Sequence, residues 1–225
     1  MGALEEFADY MVIQFFLPFR VSSVKTPQST PISLSTIQAS TPTGTKQCIS
    51  VLRHNCLKAS CEGQNCTDDD RKLLETEQYN NFQYLEVTHI LSHCLTKVAS
   101  GDKDLIKSKK NVLWILDMFN SGIIYLIHGP KINSPLNALT LMLDNHQLFG
   151  KFQIYFEPTG RAYEYRIHST EGSFLSNAFF PVTHTLSLSL NHMIDLPSPQ
   201  FLSIHHAISL ILKLSGAAKY IEQTL

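Results

Sequence analysis

Apolar residues recur at helical spacing near the start of the chain. The stripe lies within residues 3–17 and consists of Leu4, Phe7, Ala8, Met11, Val12 and Phe15. This period predicts an amphipathic helix. Pro18 predicts its end, because proline lacks the N–H that an interior helical position donates. We therefore expect residues 1–21 to form a separate N-terminal helical segment.

The pattern then changes to a polar stretch. Residues 22–45 are rich in Ser, Thr and Pro and contain few large apolar side chains. Such a segment buries too little apolar surface to offset the entropy lost on ordering. The composition predicts a linker over residues 22–45, followed by one domain over residues 46–225.

Regular patterns return at residue 82 and continue to residue 150. The run 82–89 is typical of a strand, and the apolar positions of 109–119 predict a helix. Further along, the pattern predicts a short strand over 123–127, a turn at 133–135, a strand over 138–143 and a short helix over 145–149. Asp144 is the predicted N-cap of that last helix, and Gly150 its end.

Two alternating runs follow, over residues 152–156 and 163–167, with Gly160 between them. This arrangement predicts a β-hairpin. A final helix is expected over residues 200–214, begun by Ser198 and Pro199 and ended by Gly216. The predicted fold class is therefore mixed α+β.

Composition narrows the class of protein. Apolar residues make up 44% of the chain and charged residues 16%, as expected for a folded domain. The 18 Lys and Arg residues nearly balance the 19 Asp and Glu residues, for a net charge of -1. Non-specific affinity for nucleic acid depends on basic residues that contact phosphates. Any nucleic-acid surface must therefore be local.

The cysteines and the N-terminus bear on location. The chain has five cysteines, an odd number, which does not suit a fully paired extracellular framework. The acidic residues before the first apolar stretch differ from a secretory signal, and the stretch is too short to span a membrane. These features predict an intracellular protein, cytoplasmic or nuclear, with no membrane association. A zinc site formed by Cys48, Cys56, Cys61 and Cys66 is not expected, since their spacing is wider than usual.

Three polar residues follow these elements in a suggestive order. His89 ends the first strand, Asn137 precedes the strand over 138–143, and His146 follows nine residues later on the short helix. With its flanking residues from Leu85 to His93, this arrangement resembles the motif of fungal-type HNH endonucleases. The core motif covers residues 82–152, and the similarity extends to residue 225 through runs that begin at Phe152, Tyr165 and Leu214.

The resemblance implies both a fold and a reaction. It implies a ββα-metal module with an inserted helix, an added β-hairpin and a C-terminal helix. It also implies a metal-dependent endonuclease that hydrolyses phosphodiester bonds in DNA. His89 would be the general base, Asn137 would brace the loop that carries it, and His146 would bind one divalent ion, Mg²⁺ or Mn²⁺.

The sequence departs from the family motif in ways that leave alternatives open. Many HNH enzymes have an acidic metal ligand directly before the base, where this chain has Thr88. Asp144, Glu86 and His93 are then the candidates for a further ligand, and the sequence does not choose among them. A catalytically inactive relative that acts as a binding module is the second hypothesis. A small zinc-stabilised regulatory protein built on the cysteines is the third.

Other polar residues have plainer interpretations. The strand character of residues 82–89 disfavours a helical metal pair of His89 and His93. Lys107, Lys109 and Lys110 lie where a solvated helix would begin, although they could also contact phosphate. We expect His205 and His206 to be ordinary residues of the final helix.

Overall fold

The computed structural model describes residues 3–19, 85–96, 103–170, 181–186 and 195–224. Its helices are α1 (Ala3–Met11), α2 (Lys103–Phe119), α3 (Ile123–Ile127), α4 (Leu143–Gly150), α5 (Pro199–Ser215) and α6 (Ala217–Thr224). Its strands are β1 (Leu85–His89), β2 (Ala138–Met142), β3 (Ile154–Pro158), β4 (Glu164–Ser169) and β5 (Val182–Thr185). The predicted linker and the four cysteines Cys48, Cys56, Cys61 and Cys66 lie outside these ranges.

The strands of this part of the chain form two antiparallel sheets. β1 pairs with β2, and β3, β4 and β5 form a second sheet in that order. Helix α4 follows β2 directly and packs against β1, while α5 packs against β3. The predicted α+β class is therefore confirmed. The added hairpin (β3–β4) and the C-terminal helix (α5) are both present.

One apolar cluster connects these elements. It takes buried residues from the N-terminal helical segment, from α2 to α6, and from β2, β3 and β4. Phe149 lies in the last turn of α4, and Phe152 lies between α4 and β3. The ring of His205 on α5 stacks on both. The cluster therefore fixes α4 and α5 relative to the first sheet.

The N-terminal helix does not end at Pro18 as predicted. After α1 the chain forms a wider π-type turn over Val12–Phe16, in which the Leu17 N–H bonds to the Val12 carbonyl. Helical backbone then continues to Phe19, whose side chain is buried. Phe15 stacks on both Phe19 and Phe119. This aromatic packing against α2 gives the segment a reason to remain helical through the proline.

The prediction of a strand over 123–127 is wrong, because these residues form α3. Ile123 and Ile127 are fully buried, and Tyr125 between them is 71% exposed. Residues four positions apart share one face of a helix, so this burial has the helical period. The apolar run was too short for its composition to distinguish the two periods. Helix α2 also begins earlier than predicted, at Lys103.

Capping residues predict the starts of both α4 and α5, and the structure agrees with the prediction for α5 alone. The N-cap of α4 is Met142, and Asp144 lies inside the first turn, so its predicted capping role is wrong. The side chain still lies near the positive end of the helix dipole. Helix α5 agrees with prediction: it follows Ser198, has Pro199 as its first residue, and ends at Gly216 with a φ of 70°. None of the helices among the described residues is long and apolar enough to cross a membrane.

Candidate active site

The candidate site begins where β1 ends. In the antiparallel register His89 is opposite Ala138, and the next residue, Ile90, donates its N–H to the Asn137 carbonyl at 3.0 Å. The sheet therefore brings the end of β1 next to the start of β2. Although His89 and Asn137 are far apart in sequence, the register makes them neighbours.

The Asn137 side chain ties the two loops together. Its Oδ1 accepts from the Leu91 N–H at 2.8 Å, and its Nδ2 donates to the carbonyls of Leu91 at 2.8 Å and Ile132 at 2.9 Å. The side chain is fully buried. An amide has two donor hydrogens, and both are used here on backbone groups that would otherwise be buried without partners. Asn137 therefore ties the loop that follows His89 to the segment that precedes β2.

His89 is buried beside a second asparagine. Its Nε2 lies 2.9 Å from the Asn133 Oδ1, and only 8% of each residue is exposed. Its other ring nitrogen, Nδ1, is buried and has no hydrogen-bond partner. Burial lowers the pKa of His89 to about 4; the bond with Asn133 opposes this shift, and the nearby His93 and His146 add to it. The imidazole is therefore neutral at pH 7.

His146 approaches from α4 and is held by β1. Its Nδ1 lies 2.7 Å from the Glu86 Oε2, with 23% of the His146 side chain and 20% of the Glu86 side chain exposed. A carboxylate accepts hydrogen bonds, so Nδ1 carries the proton when the imidazole is neutral and Nε2 carries the lone pair. Glu86 therefore orients His146 from behind.

His89 and His146 line one small cavity, and β1, α4 and α5 contribute its walls. Its lining residues are Thr88, His89, Ile90, Ser92, His146, Phe149, Gly150, Phe152 and His205. Its volume is about 20 Å³, which is enough for one water molecule. A small polar ligand in this space would be surrounded by imidazole, hydroxyl and phenyl groups.

His205 of α5 lines the cavity together with Phe149 and Phe152. Its ring lies parallel to Phe149 at 3.7 Å and close to Phe152 at 4.5 Å, and its Nε2 donates to the Phe149 carbonyl at 3.0 Å. Burial lowers the pKa of His205 to about 3, against the effect of that hydrogen bond. A neutral His205 therefore links α5 to the end of α4.

Two further residues predicted for the site, His93 and Asp144, do not line the cavity. His93 is buried in a 3-10 turn with its ring 5.3 Å from that of His89, but it does not line the cavity. Asp144 is exposed on the first turn of α4 and does not line it either. The structure thus brings together His89, His146 and Glu86, and it leaves Asp144 at the surface.

These residues fit one side of a divalent-ion site. The Nε2 lone pair of His146, with a carboxylate behind Nδ1, is the arrangement of many metal-binding histidines. Within the described ranges, no group of three or more His, Cys, Asp or Glu side chains is placed to hold an ion. Water and phosphate oxygens would have to complete the coordination, which is common for Mg²⁺.

Residues 63–157 match the sequence model of the HNH endonuclease family. The predicted resemblance to HNH endonucleases is therefore confirmed for this part of the chain. The family implies a nuclease-type function and nucleic-acid binding, and its domains generally use a divalent metal ion. No curated protein and no solved structure gave a significant match to the chain.

Sequence reasoning missed two residues of the site, Asn133 and His205. Asn133 lies four positions before Asn137 in a segment that reads only as a turn. The buried contact between the Asn133 side chain and His89 forms because the Gly129–Asn133 turn lies against the end of β1. The sequence does not predict this path of the turn. For His205 the sequence predicts only a place on the helix over 200–214, and nothing in it indicates that this helix packs against Phe149.

We expect the protein to lose stability as the pH falls from 6.5 to 5. The folded pKa values of about 4 for His89 and about 3 for His205 lie below the ordinary histidine value of 6.5. In this range the unfolded chain therefore binds more protons, and each histidine contributes a slope of up to about 1.4 kcal/mol per pH unit. Urea unfolding at several pH values measures the slope. His205→Gln, which keeps a donor but does not titrate, should reduce it, and an unchanged slope would contradict the prediction.

Removing the Asn137 amide should destabilise the fold. Asn137→Ala leaves three buried backbone groups of Leu91 and Ile132 without their partner. Each unsatisfied group costs about 1–3 kcal/mol. We expect the free energy of unfolding to fall by about 3 kcal/mol or more in urea titrations. Asn111→Ala, which removes a half-buried side-chain bond to Gln14, is the matched control and should cost less. Equal losses in both variants would show that Asn137 has no special role.

Proposed function

We propose that this protein hydrolyses phosphodiester bonds in DNA, with His89 as the general base and His146 as the protein ligand of a divalent ion. The observation that supports it most directly is the shared cavity. Two histidines of the HNH match, His89 and His146, line a space that can hold one water molecule. One of them has a buried ring nitrogen, Nδ1, without a partner.

The proposed reaction begins with that water. His89 Nδ1 accepts a proton from it, and the water oxygen forms a bond to the phosphorus as the bond to the leaving oxygen breaks. The leaving oxygen then takes a proton from solvent. His89 is suited to the first step because burial keeps its ring neutral, so that a lone pair is present at pH 7.

A divalent ion on His146 Nε2 would polarise the phosphate and neutralise charge that develops on the leaving oxygen. Glu86 would hold the ring of His146 in the tautomer that binding requires. This assigns Glu86 to a supporting position behind the ligand. Thr88 occupies the place of the usual acidic ligand, where its side chain is buried.

Removing the base should abolish most of the cleavage. His89→Ala should lower the rate of plasmid nicking by roughly two to four orders of magnitude, the usual contribution of a positioned general base. The assay compares Mg²⁺, Mn²⁺ and chelator at low salt, because the net charge of -1 gives little general attraction to phosphate.

His128→Ala is the matched control for this experiment. His128 is exposed, precedes the Gly129–Asn133 turn and does not line the cavity. This variant should nick plasmid at the rate of the parent protein. Nicking by His89→Ala at the parental rate, or no nicking by the parent with either metal, would overturn the proposal.

Neutralising Glu86 should weaken metal binding more than it slows the reaction. Glu86→Gln keeps an oxygen near His146 Nδ1 but removes the charge, and losses of about 10–100-fold in metal affinity follow from such changes. The metal concentration for half-maximal nicking should rise accordingly, while the rate at saturating metal stays near the parental value. His146→Ala should raise that concentration further, with partial recovery at excess metal.

Asp195→Asn is the control for the change of charge, since Asp195 is an exposed carboxylate outside the site. It should leave the metal dependence unchanged. If Glu86→Gln and His146→Ala also leave it unchanged, the ion is held elsewhere and the assignment of His146 is wrong.

A further inference from the structure

Asn133 lies at the end of the Gly129–Asn133 turn and is fixed on both sides. The carbonyl of Ile132, just before it, accepts from Asn137 Nδ2, and the N–H of Ser134, just after it, bonds to the Lys131 carbonyl at 3.0 Å. Pro130 and Pro135 further restrict the backbone around it. The amide of Asn133 is therefore presented to His89 from a rigid turn.

We propose that Asn133 is a positioning residue that fixes the tautomer and the orientation of the His89 ring. The proposal rests on the hydrolytic function proposed above and adds a residue to it. Asn133 Oδ1 is a carbonyl oxygen and can only accept a hydrogen bond, so the Nε2 of His89, 2.9 Å away, must carry the hydrogen. A neutral imidazole has one N–H, and Nδ1 then carries the lone pair.

The assignment gives the unpartnered Nδ1 a function. This atom is buried without a hydrogen-bond partner among the protein groups, and His89 borders a cavity that can hold one water molecule. In the Nε2–H tautomer Nδ1 is an acceptor, as the base of the proposed reaction must be. In the opposite tautomer Nδ1 would be a donor and could not accept a proton from water.

Asn133 and Asn137 have different tasks. Asn137 bonds backbone groups on both sides of the site and holds the loops together. Asn133 bonds the imidazole itself, and it does so from the segment that Asn137 anchors through Ile132. A variant of Asn133 should therefore change the state of the ring while the loops stay connected.

The first test measures the tautomer without any reaction. The ¹⁵N imidazole spectrum of the full-length protein at pH 7 is compared with that of His89→Gln, which identifies the His89 signals. We expect His89 to be in the Nε2–H form in the parent protein. Asn133→Leu should give a mixture of tautomers, while Asn133→Asp, whose carboxylate can only accept, should keep the Nε2–H form.

The second test measures cleavage and its pH dependence. Asn133→Leu should lower kcat about 10–100-fold with little change in KM, since the base is present but wrongly presented. Asn133→Asp should recover most of kcat and move the acid limb of the pH profile upward, because a carboxylate stabilises the protonated ring. Asn111→Leu, the same change at a residue on α2, should leave both parameters unchanged.

The outcomes separate this proposal from the proposed function. An Nδ1–H tautomer in the parent protein, or an unaltered His89 spectrum in Asn133→Leu, would overturn the role of Asn133 even if DNA is cleaved. The expected tautomers without cleavage by the parent would support the positioning role and count against the hydrolytic function. If Asn133→Leu fails to fold, the tautomer of His89 in the parent spectrum and the pH profile of Asn133→Asp still test the role of Asn133.

Discussion

The site depends on one buried amide, that of Asn137. Hydrogen bonds in a sheet fix only the paired strands, and the loops that leave β1 and enter β2 would otherwise need water for their polar groups. Asn137 supplies one acceptor and two donors to these loops from a position with no exposed surface. Because a buried amide without partners is costly, this arrangement is stable only when both loops are in place. The position of His89 is therefore set by the same bonds that complete the fold.

The other side of the site depends on aromatic packing. Phe149 ends the last turn of α4, and Phe152 follows with a left-handed φ of 59° that turns the chain into β3. The His205 ring lies against both phenyl groups. A histidine suits this place because its ring stacks like a phenyl group and its N–H satisfies the buried Phe149 carbonyl. Helix α5 thus contributes His205 to the lining of the cavity, although it lies beyond the HNH match at residues 63–157.

Much of the site could be predicted from the sequence, because its residues lie at the ends of regular elements. His89, Asn137 and His146 have fixed spacings to a strand, a turn and a short helix, and antiparallel pairing brings such ends together. Asn133 could not be found in this way, since its contact with His89 depends on the path of an irregular turn. Helix α3 could not be predicted because five consecutive apolar residues fit both the strand period and the helical period. Its packing on α2 favours the helix. The role of Glu86 depends on the rotamer of His146, which no sequence pattern specifies.

The burial of His89 has opposing effects on its proposed role. Desolvation keeps the ring neutral at pH 7, but the same effect, which lowers the pKa to about 4, makes the nitrogen a weak base. A general base is most effective when its pKa lies near the working pH. A phosphodiester bound at the mouth of the cavity would bring a negative charge close to the ring and raise that pKa, since an opposite charge stabilises imidazolium. The divalent ion proposed on His146 would act in the opposite direction, because a second positive charge disfavours imidazolium. The basicity of His89 in the proposed reaction is therefore set by its burial together with these two opposing charges.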